Sequence, residues 1–173
     1  PKSQDVKHLD EKIKLDFPII TKGRYGLNFY KKTGKKAFIS NNQIEFQHHL
    51  IEILKHFSLD DCITQEIITE DPQHKTVSFT CFAIQGKIKA YWTGVKLREH
   101  PLRFGTATYT KSIDSKPLKK QSELLIKSIA YNGVCEIEYL FDSHTNEYKL
   151  IEINPRTWLW VGLAKSCGID YAK

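Results

Sequence analysis

A mixed α+β fold in two lobes, with an antiparallel sheet in the second lobe, is what this 173-residue sequence predicts. Three observations carry that reading. The first half mixes helical and strand-like apolar spacing, whereas the second is richer in strands. The runs Thr76 to Ile84 and Lys87 to Arg98 flank a Gln85-Gly86 turn, the signature of a hairpin. The polar segment Thr69 to Lys75 is the weakest stretch between them, so a boundary is placed there, giving lobes 1–68 and 69–173.

Along the chain, Ser3 is placed as the cap of a short helix with Val6, Leu9 and Ile13 on one stripe, and Phe17 to Thr21 as a buried strand delivering Lys22 to a loop. Gly23 to Lys36 alternates glycines, aromatics and basic residues without a period, so it is expected to be a flexible basic loop or hairpin. Ala37 to Ser40 returns to strand character. Asn41 or Asn42 caps a helix expected to turn Ile44, Leu50, Ile51, Leu54 and Phe57 inward, and Cys62 to Ile68 follows as a strand. Ser115 and Pro117 open a further helix with Leu118, Leu125 and Ile129 inward, ending near Asn132-Gly133. Two strands, Val134 to Asp142 and Glu147 to Ile153, come next, and Trp158 to Cys167 reads as a last helix with Gly168 past its end.

Lys plus Arg number 26 against 20 Asp plus Glu, a net charge of +6, which suits an anionic partner such as a nucleotide without choosing one. Cys62, Cys81, Cys135 and Cys167 are dispersed, with no metal-type cluster, and three sit in apolar runs. Reduced thiols and a cytoplasmic location are therefore expected. No signal-peptide pattern or membrane-length apolar run occurs, so no membrane association is expected. The absence of methionine and the opening proline suggest a piece of a longer polypeptide, with preceding and following parts missing.

The candidate site lies in the last two strands. Strand alternation puts Glu136, Glu138 and Leu140 on one face and Leu150, Glu152 and Asn154 on one face of the next. A five-residue loop, 143 to 147, sets Glu138 opposite Glu152 and Glu136 opposite Asn154; a one-residue slip sends one set to the other side. Facing carboxylates need open solvent or a cation, and oxygen donors without sulfur or imidazole suit Mg²⁺. By spacing alone, a merely solvated sheet face explains the glutamates equally well.

The longer string GVCEIEYLFDSHTNEYKLIEINPR, residues 133–156, resembles the metal-binding hairpin of the ATP-grasp superfamily, with Glu138, Glu152, Asn154, Pro155 and Arg156 at its motif positions. FPIITKG and CITQEII resemble two further family strands, and the likeness covers roughly residues 16 to 171. It implies an ATP-grasp fold with the nucleotide between the lobes, and a Mg²⁺ site, Mn²⁺ also serving, at Glu138, Glu152 and Asn154. Lys22, Gln65, Glu66, Ile67, Ile68, Glu70 and Lys96 match nucleotide-contacting positions. Glu70 and Asp71 both qualify for the ribose. Lys22, Arg98 and Arg156 match positions that offset charge during transfer.

The implied activity is that of a carboxylate-amine ligase: ATP phosphorylates a carboxylate, here expected to be amino-acid-like, and an amine attacks the acyl phosphate, with ADP and phosphate released. Phosphorylation of bicarbonate, as in carbamoyl-phosphate synthesis, is the near alternative. A basic nucleic-acid module, built on Tyr25, Phe29 and Tyr30 among lysines, is the rival from another class; it leaves the hairpin unexplained, so nucleic acid is not the expected partner. Homo-oligomer formation stays open.

Overall fold

The computed structural model of the chain describes residues 1–68, 76–100, 105–143 and 145–173. It divides into two compact units, Pro1–Thr69 and Glu70–Lys173. Among the described residues no helix is long and apolar enough to cross a membrane.

The first unit holds a four-stranded antiparallel sheet of β1 (Ser3–Gln4), β2 (Ile19–Gly23), β3 (Phe38–Ser40) and β4 (Cys62–Glu66), in the order β1-β4-β2-β3. Its helices are α1 (Gly26–Thr33) and α2 (Gln43–Leu54). Three expectations are corrected here. Ser3 begins an edge strand that pairs with Gln65, not a helix, because β4 offers it an open row of backbone partners. The supposed loop between Gly23 and Lys36 contains α1, pinned by fully buried Phe29 against Phe38 and Phe57. Gly34, at φ 70°, ends that helix by donating its N–H to the Tyr30 carbonyl. Arg24 donates to Asp5 at 2.6 Å and to the Asp60 carbonyl at 2.9 Å.

The third correction concerns α2. Asn42 caps it, accepting from the Glu45 N–H at 2.9 Å. The buried stripe, however, is Phe46, Leu50 and Ile53, while Ile44 and Ile51 are exposed. Both sets have helical spacing, and Phe46 fixes the choice by seating the larger ring beside Ile19 and Val6.

The second unit is a five-stranded antiparallel sheet, β7-β6-β5-β8-β9. Its strands are β5 (Thr76–Ile84), β6 (Lys87–His100), β7 (Thr106–Ser112), β8 (Gly133–Asp142) and β9 (Glu147–Asn154). The predicted Gln85-Gly86 hairpin turn is present, both residues having positive φ. Strand β7 was not foreseen. Helix α3 (Lys116–Ser128) starts at a Ser115 cap and buries Leu118, Ser122 and Ile126; Ile129, expected inward, is exposed because it lies past the last helical residue.

The two faces of this sheet differ. Phe79, Cys81, Cys135, Ile137 and Tyr139 form an apolar layer with α3, where Ser122 and the Tyr139 hydroxyl lie 3.0 Å apart. The opposite face carries Ser78, Thr80, Glu136 and Glu138. Its Trp92 belongs to a second cluster with Trp158 and Ala164. Helix α4 (Val161–Ser166) is shorter than expected, and the Tyr171 hydroxyl fastens the segment after it to Thr80, at 2.9 Å from Oγ1. Cys62, Cys81 and Cys135 are buried and Cys167 is exposed, as the apolar runs implied.

Candidate functional site

Glu138 pairs with Glu152 and Glu136 with Asn154, the pairs expected from strand alternation. The route to that register differs from the expected one. Asp142 already faces Glu147, so the connection is residues 143–146 rather than five residues, and a bulge between Glu138 and Tyr139 then leaves Ile151 without a partner in the ladder. Without that bulge the shorter connection would set Ile151 opposite Glu138 and turn Glu152 toward the α3 layer. The bulge therefore keeps both carboxylates on one face.

The pairing extends across the sheet. Gly94, Ser78, Glu138 and Glu152 form one row, and Trp92, Thr80, Glu136 and Asn154 the next. Asn154 Nδ2 donates to Glu138 Oε1 at 3.3 Å and to Glu152 Oε1 at 3.0 Å. Asn154 Oδ1 accepts from Arg156 Nη2 at 3.1 Å, and Arg156 Nη1 donates to the Thr157 carbonyl at 3.0 Å. On the other side Lys96 Nζ lies 3.7 Å from Glu138 Oε2 and 3.5 Å from Glu99 Oε2.

The electrostatics are those of crowded acids. Burial raises the Glu138 carboxyl above its ordinary range; Lys96 opposes the rise and Glu152 adds to it. Glu136 is pushed up to about 7, first by burial and then by Glu138, while a hydrogen bond from Ser78 Oγ at 3.0 Å holds it partly down. No group of three or more His, Cys, Asp and Glu side chains is arranged to hold a metal among the described residues. What converges is two carboxylates and one amide. That set fits Mg²⁺, which takes one or two carboxylates and fills its octahedron with water and phosphate oxygens.

Glu138, Glu152, Asn154, Lys96 and Arg156 are thus brought together. Arg98 is not placed against the carboxylates: bulges flank it in β6, and its guanidinium lies 5.8 Å from the Tyr109 ring centroid. Within the first unit Lys22 pairs with Ile63 and Gln65 with Ile20. These four share the half-buried sheet face opposite buried Ile19, Thr21 and Thr64. Lys2 engages Glu66 twice: its carbonyl accepts the Glu66 N–H at 3.0 Å, and its own N–H donates to Glu66 Oε1 at 2.8 Å. The Glu66 N–H is therefore already engaged within the sheet, and Ile67 and Ile68 follow the strand. Glu70 and Asp71 lie outside the described residues.

Sequence reasoning put Glu136 on the right face but gave it no role, although it shares strand parity with Glu138. It missed the aromatic cluster beside the site entirely. Among the described residues the buried indole N–H groups of Trp92 and Trp158 have no partner, and Trp160 meets Trp92 edge-on with ring centroids 5.1 Å apart. No periodicity marks these residues.

A family described as the carbamoyl-phosphate synthase L chain ATP-binding domain matches residues 106–172, which include β8 and β9. D-alanine–D-alanine ligase from Bacillus anthracis, solved with ATP, covers 100% of this chain with a TM-score of 0.63 at 16% identity. The chain has the ATP-grasp fold. It spans 56% of that structure's chain. Its sequence is similar to a D-aspartate ligase of Enterococcus faecium, 23% identical over 86% of this chain and 37% of the relative. It is also similar to the carbamoyl phosphate synthase large chain of Methanobrevibacter smithii, 25% identical over 100% of this chain and 17% of the relative. The chain thus spans well under half the length of either relative.

Proposed function

We propose that this chain is the nucleotide-handling part of an ADP-forming carboxylate-amine ligase whose carboxylate substrate is amino-acid-like. The single observation that carries the reading is the convergence of Glu138, Glu152 and Asn154 with Arg156 and Lys96 at the end of one hairpin. Similarity to a D-aspartate ligase favours an amino-acid carboxylate. The carbamoyl-phosphate synthase match supports bicarbonate as the second reading.

In this proposal Glu138, Glu152 and Asn154 would hold Mg²⁺. When bound, that ion neutralises phosphate charge and aligns the transferring group. The chain's own cations do the rest. Lys96, held between Glu138 and Glu99, and Lys22, on the half-buried face of β2, are assigned to phosphate oxygens. Gln65, Ile67 and Ile68 are assigned to the adenine, with Glu70 or Asp71 at the ribose. Arg156 presents a planar fork to the transferring phosphoryl group and then to the oxyanion formed when the amine attacks. Arg98 retains a charge-offsetting role only if it leaves Tyr109.

The rival nucleic-acid reading loses one of its stacking rings, because Phe29 is fully buried. Calorimetry with Mg-ADP tests the proposal: Glu152→Ala should bind at least about tenfold more weakly than wild type, the cost of about 1.4 kcal/mol expected for one charged metal contact. Equal affinity would refute it. Phosphate release by the full-length protein, screened against amino acids and bicarbonate, separates the two substrate readings.

A further inference from the structure

The hydrogen-bond pattern at Asn154 has a direction. Its Nδ2 faces two carboxylate oxygens, Glu138 Oε1 and Glu152 Oε1, and its Oδ1 faces Arg156 Nη2. Rotating the amide by half a turn would set Oδ1 against both carboxylates and Nδ2 against the guanidinium, making all three contacts like-on-like. While the carboxylates carry charge and hold no cation, the amide is therefore locked in this sense, and Arg156 is held with it.

We propose that Asn154 is a positioning residue whose amide couples loading of the Glu138–Glu152 pair to release of Arg156. This rests on the metal reading above. A divalent cation between the carboxylates repels the Nδ2 hydrogens and attracts Oδ1, so Asn154 can ligate only by turning its amide. That turn places Nδ2 toward Arg156 Nη2, donor against donor. Of its hydrogen bonds among the described residues, the guanidinium then keeps the one to the Thr157 carbonyl. The guanidinium is parked on Asn154 before loading and free for an anion after it. Lys96, 3.7 Å from Glu138 Oε2, is the remaining counter-charge of the unloaded pair and does not touch the amide. The order has chemical sense: an arginine released early would bind any passing anion, whereas one released by the cation becomes available when phosphate has its metal.

The test uses the 173-residue chain and Mn²⁺ without nucleotide. Occupancy is followed by water-proton relaxation, and guanidinium accessibility by phenylglyoxal labelling of Arg156, read by peptide mass spectrometry. Losing one charged hydrogen bond should raise Arg156 labelling about three- to tenfold as Mn²⁺ saturates. Arg24, tied to Asp5 and the Asp60 carbonyl, is the internal control and should not change. In Asn154→Asp a carboxylate can ligate with one oxygen and keep Arg156 with the other, so Mn²⁺ should bind while labelling stays at the metal-free level. Bound Mn²⁺ with unchanged Arg156 labelling in wild type overturns the coupling but leaves the metal site standing. An equal rise in Asn154→Asp also overturns it. No relaxation enhancement at all overturns the metal reading and this inference together.

Discussion

Glu136→Gln should stabilise the second unit at pH 8 in the absence of metal, and the size of the effect follows from where this carboxyl sits. Glu136 is 4% exposed, its carboxyl is pushed from an ordinary 4.5 up to about 7, and burial is the main cause. An acid whose folded-state pKa is raised binds its proton more tightly when folded. Between pH 4.5 and 7 the native state therefore holds more protons than the unfolded state, and stability falls as pH rises through that window. The full shift of about 2.5 units is worth about 3 kcal/mol, a ceiling that relaxation around the charge will lower to about 1–3 kcal/mol. Glutamine keeps an acceptor for Ser78 Oγ and cannot ionise. All three tryptophans, Trp92, Trp158 and Trp160, belong to the second unit, so fluorescence-detected urea unfolding in EDTA reports on it alone. Wild type should lose midpoint between pH 5 and 8, and the variant should lose about 1–3 kcal/mol less. A wild-type midpoint that changes with pH just as the variant's does would refute the reasoning.

Two further outcomes test the packing. Phe46→Ala should cost the first unit about 3–5 kcal/mol while Ile51→Ser, on the exposed side of α2, stays within about 0.5 kcal/mol, as read by backbone hydrogen exchange. Gly94→Ala should cost about 1–3 kcal/mol, because its Cβ would come within 2.3 Å of Trp92 Cη2 and 2.7 Å of Trp160 Cζ3. A shift in near-ultraviolet circular dichroism should accompany that loss, since the tryptophan rings must move.

Where the chain's local chemistry decides conformation, the sequence was sufficient. A cap was legible at Ser115 and at one of Asn41 and Asn42, of which Asn42 supplies the oxygen to an otherwise unpaired N–H, and Gln85-Gly86 turns because its backbone tolerates positive φ. Two-residue alternation groups Glu136 with Glu138 and Glu152 with Asn154 within each strand, whereas setting the two groups on one side also took the bulge at Glu138. The resemblance to ATP-grasp hairpins came from contiguous residues for the same reason.

The rest depended on partners distant in the chain. Ser3 is a strand because β4 has an open edge, and Phe29 makes a helix of a basic stretch because Phe38 and Phe57 receive it. Either of two apolar stripes would satisfy α2 in isolation, and only the sheet beneath selects Phe46, Leu50 and Ile53. At the site, composition fixed which side chains were available, but the skipped residue at Ile151 and the burial that raises Glu136 and Glu138 arise from strands and aromatic rings packed around them. Hydrogen-bonding capacity and side-chain alternation are properties of a few neighbouring residues; desolvation and edge pairing are properties of the assembled molecule, and those are what the tertiary structure alone decided.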